Sequence, residues 1–172
     1  FLNRPQPVWE FFPSQIQAIS AGLLVSPDTY SLEMPIGAGK TALTETLIFS
    51  HLLSDDSRLA VLLVPYRALA RELRYSVGKR LMRAGLATRT VYGGTVPSAE
   101  ESRDLDSVQV IIATPEAFTG LLEAHPEVFS RVSLLVCDEG HLLDSGSRGI
   151  GLELLLAQFL TREPRPQIVF LS

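Results

Sequence analysis

Cysteine is almost absent from this chain of 172 residues, in which Cys137 is the only one. A single thiol excludes an internal disulfide framework and is typical of a reducing compartment. Cys137 ends an apolar run, so we expect it to be buried and unreactive. No apolar stretch approaches the roughly 18–20 residues of a membrane span, and no signal-peptide pattern opens the chain. We therefore expect an intracellular protein of the cytoplasm, with the nucleus also open, and no membrane partner.

Positive charge is also scarce. The 15 Lys and Arg residues are outnumbered by 19 Asp and Glu, which gives a net charge of -4 and a pI near 5.4. This balance argues against a dominant electrostatic footprint for nucleic acid, so any such binding must use a local strip or a basic partner domain. With 46% hydrophobic and 20% charged residues, the composition predicts a compact α/β protein, and the length fits one domain.

Both ends of the sequence look cut. Phe1 is not an initiator Met, and residues 168–172 read as a strand and its following turn. We therefore expect a fragment of a larger protein. One domain is predicted over residues 1–172. Its residues 1–13 are rich in proline and aromatic side chains, which predicts an extended lead-in that packs on the domain.

A glycine-rich stretch, residues 34–41, organises the chain. Gly37 and Gly39 lack side chains, so successive backbone N–H groups can turn onto anionic oxygens. Lys40 supplies a charge for β/γ-phosphates, and the Thr41 hydroxyl can ligate Mg²⁺. A β-like run precedes the stretch and a helical pattern follows it, which places phosphate at a helix N-terminus. Met34 stands where the strict P-loop pattern has Gly, and the alternative is a glycine-rich turn with one exposed lysine. We predict a nucleotide-phosphate site formed by Pro35, Ile36, Gly37, Ala38, Gly39, Lys40 and Thr41.

Apolar runs alternate with helical patterns along the whole chain. Strands are predicted at residues 30–34, 59–64, 88–92, 108–113, 132–137 and 167–171. Helices are predicted to begin near residues 14, 42, 67, 115 and 150. This alternation predicts a three-layer α/β domain with a mostly parallel sheet and helices on both faces. Ligands of such sheets bind beyond the carboxyl ends of the strands. The glycine-rich loop, Gly93-Gly94, Thr114, Asp138-Glu139 and Ser172 are all predicted at that edge.

Two helix starts carry specific predictions. Ser14 and Gln17 fit a capping box, with Ser14 as N-cap and Gln17 at the N3 position, which would leave Gln15 free to point elsewhere. Thr114 followed by Pro115 fits an N-cap followed by the favoured first helical residue.

An acidic pair, Asp138 and Glu139, follows a buried strand. A carboxylate there, opposite a phosphate loop, suits a Mg²⁺ partner, which we predict to be Asp138. The adjacent Glu139 can orient or deprotonate an attacking water. The alternative is a solvated loop. His141 lacks Cys or His partners at metal-ligand spacing and reads better as a polar relay near the γ-phosphate.

With both motifs in place, nearly the whole chain resembles the first RecA-like domain of superfamily 2 helicases of the DExH type, most closely the Ski-like branch. Residues 34–41 match motif I, with Ile36 where Thr is common, and residues 138–141 match motif II. Residues 12–15 look like the Q-motif region, which implies that Gln15 reads the adenine edge. Residues 171–172 would begin the Ser-Ala-Thr motif, which implies a coupling role for Ser172 and His141.

The resemblance also implies a nucleic-acid path. Residues 64–70 are similar to motif Ia, residues 92–94 to the glycine pair that follows it, and residues 113–116 to the family's Thr-Pro-Glu motif. Family members use these segments on the phosphate backbone of one strand, which implies contacts from Arg67, Gly94 and Thr114. The implied ligands are ATP, Mg²⁺ and DNA or RNA.

The arginines that complete the ATP site in this family lie on a second RecA-like domain, which this chain lacks. With Lys40, Asp138 and Glu139 as catalytic residues, we expect this fragment to bind nucleotide, to hydrolyse it poorly and to unwind nothing. Two alternatives to a helicase stay open: a double-strand DNA translocase of a restriction, repair or remodelling machine, and a non-catalytic nucleotide-gated binding module. A GTP switch is disfavoured because no Asn-Lys-x-Asp motif is present.

Overall fold

The structure is a computed structural model that describes residues 10–35, 37–53, 55, 58–91, 105–139 and 146–172. The strands are β1 (Thr29–Leu32), β2 (Leu59–Leu63), β3 (Thr88–Val91), β4 (Val110–Ala113), β5 (Val132–Asp138) and β6 (Gln167–Leu171). The helices are α1 (Pro13–Ser20), α2 (Lys40–Leu52), α3 (Arg67–Leu73), α4 (Lys79–Arg83), α5 (Pro115–Ala124), α6 (Glu127–Arg131) and α7 (Gly146–Leu160). None of these described helices is long and apolar enough to cross a membrane.

The six described strands form one sheet in the order β1-β6-β5-β2-β4-β3, and every pairing is parallel. This confirms the predicted α/β class. The strands β2 and β4 are buried at every position, which is why their sequences read as unbroken apolar runs. Because all strands run the same way, their carboxyl ends meet along one edge of the sheet.

The sheet separates two apolar layers, as the three-layer prediction requires. Successive residues of a strand point to opposite faces. In β2, Leu59, Val61 and Leu63 belong to the layer packed with α5 and α7, whereas Ala60 and Leu62 belong to the layer packed with α1–α4. The lone cysteine lies in the first layer, fully buried, and burial raises the pKa of its thiol to about 12. Cys137 is therefore a buried structural residue, as predicted.

The helix predicted over residues 67–83 is present but irregular. Between α3 and α4 the chain forms one π-helical turn, Arg74–Gly78, with no break in the helical path. The buried side of this segment includes Ala70, Val77 and Leu81, which pack onto the sheet. Apolar periodicity located the segment, but a single π turn of five residues is too short to leave a recognisable pattern of its own.

Two short elements and one helix boundary were not predicted. The segment Leu105–Ser107 is a 3₁₀ turn inside a predicted loop, and α6 is only five residues long. Arg131 ties the two together, since its guanidinium donates to the carbonyls of Leu105 at 2.8 Å and Val108 at 2.7 Å. The helix α7 begins at Gly146 rather than at Ile150, because residues 146–149 are two glycines, a serine and an arginine and give no apolar periodicity.

Candidate functional site

The glycine-rich stretch at residues 34–41, which we call the phosphate loop, connects β1 to α2. Its described glycines have the backbone conformation that the sequence predicts. Gly37 and Gly39 both adopt a left-handed φ of 82°, and the N–H of Ala38 donates to the Pro35 carbonyl at 3.0 Å. Gly39 is the N-cap of α2, and no side chain caps that end. The first N–H groups of this 13-residue helix therefore lack side-chain acceptors, and a bound anion would satisfy them.

Lys40 and Thr41 end the phosphate loop and occupy the first turn of α2. Lys40 is half-buried and Thr41 is exposed. Ile36 lies outside the described residues, so its predicted role stays a prediction.

Gln15 lies against the phosphate loop. Its side-chain amide donates to the Gly39 carbonyl at 2.8 Å, and its Oε1 accepts from the N–H of Phe12 at 2.8 Å. The residue is only 1% exposed. The Phe12 ring also lies close, since a Cβ added at Gly39 would come within 3.1 Å of its Cδ2 atom. The adenine-reading role of Gln15 stays a prediction, but its position beside the loop is now clear.

The capping-box prediction for this helix is wrong. The helix begins at Pro13, with Phe12 as N-cap, so the N3 position belongs to Gln15 and not to Gln17. Ser14 lies inside the first turn, and Gln17 is exposed. The preference for proline at the first helical position outweighs the local Ser-x-x-Gln pattern. Gln15 therefore has both the capping role and the contact with the loop, whereas the sequence had separated them.

The carboxyl edge of the sheet brings the acidic pair toward the loop. In the register of β1, β6 and β5, Leu32 pairs with Leu171 and Leu171 with Asp138. The ladder continues beyond the strands, because the Ser172 N–H donates to the Leu32 carbonyl at 3.1 Å and the Met34 N–H donates to the Ser172 carbonyl at 2.9 Å. Asp138 is thus two strands from β1, roughly 10 Å at ordinary strand spacing. Ser172 directly follows β6, the strand between them.

The charge environment links Asp138 to Lys40. The pKa of the Asp138 carboxyl lies above its usual range, first because burial disfavours the charged form and second because Glu139 repels it. A hydrogen bond from the Glu139 N–H, 3.1 Å from Oδ1, and attraction by Lys40 oppose this rise. Glu139 itself has a left-handed φ of 57°, a conformation that non-glycine residues adopt at a cost and often at functional sites.

The Asp138 carboxylate and the Thr41 hydroxyl fit a hydrated Mg²⁺ ion accompanied by phosphates. A carboxylate and a hydroxyl are oxygen donors of the kind Mg²⁺ prefers, and Mg²⁺ is usually bound through one or two carboxylates plus substrate phosphates. Burial, and after it repulsion by Glu139, disfavours the charged form of Asp138, and a bound divalent cation would stabilise that charge. Within the described ranges no three His, Cys, Asp or Glu residues form a metal-binding group by themselves.

Asp138→Asn is expected to stabilise the metal-free protein near neutral pH. Because the folded-state pKa is raised, Asp138 favours folding below its ordinary value of 3.8, and that contribution is lost as pH rises through the raised value. The amide keeps the hydrogen bond from Glu139 and avoids the buried charge. We expect a gain of roughly 0.5–2 kcal/mol at neutral pH, as is common when a functional constraint is relieved.

The measurement is urea unfolding in EDTA at several pH values. The gain should shrink as pH falls toward 4, and Asp106→Asn, at an exposed site, is the matched control. A gain that persists at acid pH would contradict this electrostatic explanation.

The residues predicted for nucleic acid lie on the other half of the same edge. Arg67 is the exposed first residue of α3, which follows β2, and Thr114 follows β4. Thr114 is only 4% exposed, and its hydroxyl caps α5 by accepting from the Ala117 N–H at 3.4 Å. The capping prediction is confirmed, and a phosphate contact by Thr114 stays a prediction. Gly94 and His141 lie outside the described residues, and their roles also stay predictions.

The strand order therefore separates two groups of residues. The phosphate loop, Ser172 and the acidic pair follow β1, β6 and β5, whereas Arg67 and Thr114 follow β2 and β4. A phosphate loop after the first strand and a carboxylate pair after the fifth, on an all-parallel sheet, define a P-loop NTPase domain of the RecA-like type.

Comparison with known proteins identifies the family. The sequence model of DEAD/DEAH box helicases matches residues 12–172. The chain belongs to the DEAD/DEAH box helicase family, and the resemblance to a first RecA-like helicase domain is confirmed. Membership of this family implies nucleotide binding.

Two relatives and one solved structure illustrate the likeness. The chain is 31% identical to the Hachiman protein HamB of Bacillus cereus, over 99% of this chain and 15% of that protein. It is 34% identical to the ATP-dependent DNA helicase Hel308 of Pyrococcus horikoshii, over 95% of this chain and 22% of that protein. Its fold matches the crystal structure of the helicase MrfA bound to DNA with a TM-score of 0.74 at 18% identity, over 98% of this chain and 25% of that one. The chain thus spans a quarter or less of each of these three proteins.

Proposed function

We propose that this chain is the ATP-binding domain of a nucleic-acid-dependent ATPase, acting as part of a DNA helicase. One observation carries the proposal: the uncapped amino end of α2 and Asp138 lie at the same edge of the sheet, and Lys40 in the first turn of α2 attracts the Asp138 carboxylate. DNA is favoured over RNA because Hel308 is named as a DNA helicase and MrfA has been crystallised with DNA.

Each residue of the site then has a role. The N–H groups of the loop and of the first turn of α2 hold the phosphate chain, and the Lys40 ammonium contacts the β/γ-phosphates. Thr41 and Asp138 hold Mg²⁺, which when bound neutralises charge that develops on the transferring phosphoryl group. Glu139 orients the attacking water and accepts its proton.

Gln15 reads the adenine edge. Because its side chain already contacts the phosphate loop through Gly39, base recognition would exchange an internal hydrogen bond for one to the base. Occupancy of the base site is then coupled directly to the backbone that holds the phosphates. Ser172 extends the strand between the loop and the acidic pair, where it can relay the state of the nucleotide along the chain.

Hydrolysis coupled to DNA movement needs a second RecA-like domain. The whole-protein relatives are several times longer than this chain, which supports such a domain elsewhere in the protein. Arginines supplied from outside the phosphate site raise the rate by about 10³–10⁵ in related NTPases. The chain alone is therefore expected to bind nucleotide and hydrolyse it poorly.

Calorimetric titration with Mg·ADP tests the proposal. The parent chain should bind with a saturable isotherm, and Lys40→Ala should weaken binding by at least about tenfold, the value of one hydrogen bond to a charged group. Arg165→Ala is the matched control, because it removes an exposed cation that precedes β6, at the opposite edge of the sheet. Absence of binding by a folded parent chain would contradict the proposal and favour a non-catalytic module.

A further inference from the structure

The positive charge of this acidic chain is concentrated in one segment. Residues 67–89 contain seven of the 15 Lys and Arg residues and only one of the 19 Asp and Glu residues. The segment comprises α3, the π turn, α4 and β3. A net acidic chain therefore carries a local basic strip, which is the arrangement that nucleic-acid binding by such a chain requires.

The strip has a regular geometry on the outer side of the helices. Arg67, Arg71, Tyr75, Lys79 and Arg83 follow one another at intervals of four residues, and all five are exposed. We call these five residues the basic column. In a regular α-helix a spacing of four drifts by about 40° at each step, because one turn takes 3.6 residues. The wider π turn at the centre of the segment counteracts this drift and helps to keep the column on one face.

The aromatic residue at the centre of the column organises the neighbouring cations. Tyr75 is 54% exposed, with the Lys79 ammonium 5.0 Å and the Arg74 guanidinium 5.9 Å from the centre of its ring. Contacts at these distances hold cations on an aromatic face. Because the ring already contacts two cations, the column is suited to phosphates more than to the stacking of bases.

The fold gains little from these charges. Like charges four residues apart on a helix destabilise it, and a cation in the first turn opposes the helix dipole. Arg67 and Arg71 form one such pair, and Lys79 and Arg83 form another. Within the part of the chain that the structure describes, no carboxylate forms an ion pair with these four residues.

We propose that the basic column is a second binding surface for the phosphodiester backbone of nucleic acid. It begins at Arg67, on the half of the sheet edge assigned to nucleic acid, and runs along the outside of the domain for roughly 20–24 Å, from the helical rise per residue. The inference rests on the proposed function and extends it. The nucleic-acid strand that contacts the sheet edge continues along the column, either single-stranded or as part of a duplex. The column recognises the phosphodiester backbone of that strand and no particular sequence.

The test compares two double variants with the same change in net charge. Arg71→Gln/Lys79→Gln neutralises the middle of the column, and Arg58→Gln/Arg165→Gln neutralises two exposed arginines elsewhere. Binding of the 172-residue chain to a labelled single strand and to a duplex of the same sequence is measured by fluorescence anisotropy at several salt concentrations. Mg·ADP affinity is measured on the same samples, to separate failure of the column from failure of the nucleotide site.

The column variant should bind nucleic acid about tenfold more weakly, and the salt slope should fall by about 1.4 on a single strand or about 1.8 on a duplex, for two lost phosphate contacts. The ligand with the larger loss identifies the form that the column binds. Affinity of the control variant should change by less than about twofold, since only the long-range charge differs.

Equal losses in the two double variants would overturn the proposal, because net charge alone would then explain them. It would also be overturned if the column variant kept its affinity for nucleic acid but lost binding to vesicles containing phosphatidylserine or to polyglutamate, since the partner would then be a membrane or an acidic protein. A third outcome separates the two proposals. If the parent chain fails to bind Mg·ADP but the column variant alone binds nucleic acid more weakly than the parent, the column is supported and the ATPase function is contradicted.

Discussion

Arg80→Leu is expected to lower the free energy of unfolding by about 3 kcal/mol, because it removes a close ion-pair partner of a buried carboxylate. In α2, the Glu45 side chain is only 3% exposed. The guanidinium of Arg80, in α4, reaches its Oε1 atom with Nε at 2.7 Å and Nη2 at 2.6 Å. Arg80 is itself 31% exposed, so solvent can partly replace it, and we place the loss at the lower end of the range for buried pairs.

Urea unfolding with a double-mutant cycle measures this interaction. Glu45→Leu/Arg80→Leu removes both charges and should recover most of the stability that Arg80→Leu loses, because apolar pairs commonly replace buried ion pairs without cost. Arg83→Leu, at an exposed position of the same helix, is the control and should stay within about 0.5 kcal/mol of the parent. A loss below about 1 kcal/mol in Arg80→Leu would contradict the buried-pair interpretation.

The pair also has a mechanical consequence. Glu45 lies five residues after Lys40 in the same helix, and Arg80 lies in the helical segment that begins at Arg67. The ion pair therefore joins the helix of the phosphate loop to the helix that starts at the proposed nucleic-acid half of the edge. A displacement of one helix by nucleotide would be transmitted to the other through a contact that is mostly shielded from water.

Much of the fold could be predicted from the sequence, because the strands of a parallel sheet are buried on both faces. The runs that became β2, β4 and β5 have no alternation of polar and apolar residues, and each was located within two residues of its observed bounds. The phosphate loop and the acidic pair were found because their residue types are rare in combination. The family comparison confirms the class that these motifs predicted.

Other features depend on which segments meet in space. The sequence contains no signal for strand order, so it predicted one edge but not the separation of the residues predicted for nucleotide from those predicted for nucleic acid. Gln15 and Gly39 are 24 residues apart, and Glu45 and Arg80 are 35 apart, so no local pattern relates either pair. The start of α1 was misplaced because two capping patterns overlap, and proline at the first helical position favours the one with Phe12 as N-cap.

The contact between Gln15 and the phosphate loop leads to a second large effect. Gly39→Ala is expected to lower the free energy of unfolding by about 3 kcal/mol, of which about 1 is the cost of a left-handed alanine. The added Cβ would lie 2.4 Å from the Gln15 Nε2 atom. Because Gln15 is buried, its amide can move away only by losing its bonds to Gly39 and Phe12, worth about 1 kcal/mol each.

Gly37→Ala separates the cost of a left-handed alanine from the steric collision with Gln15. Both glycines have the conformational cost, and only Gly39 has the collision. Gly37 has the same φ of 82°, and a Cβ there would meet nothing within 4 Å. It should therefore lose only about 1 kcal/mol, as for any left-handed alanine.

In the Gly39→Ala background, adding Gln15→Ala should cause little further loss, because the bonds of Gln15 are already broken. Equal losses for the two glycine variants would mean that Gln15 does not support the loop. A larger loss for Gly39→Ala, with a matching loss of Mg·ADP affinity, would show that Gln15 holds the loop in the conformation that binds phosphate.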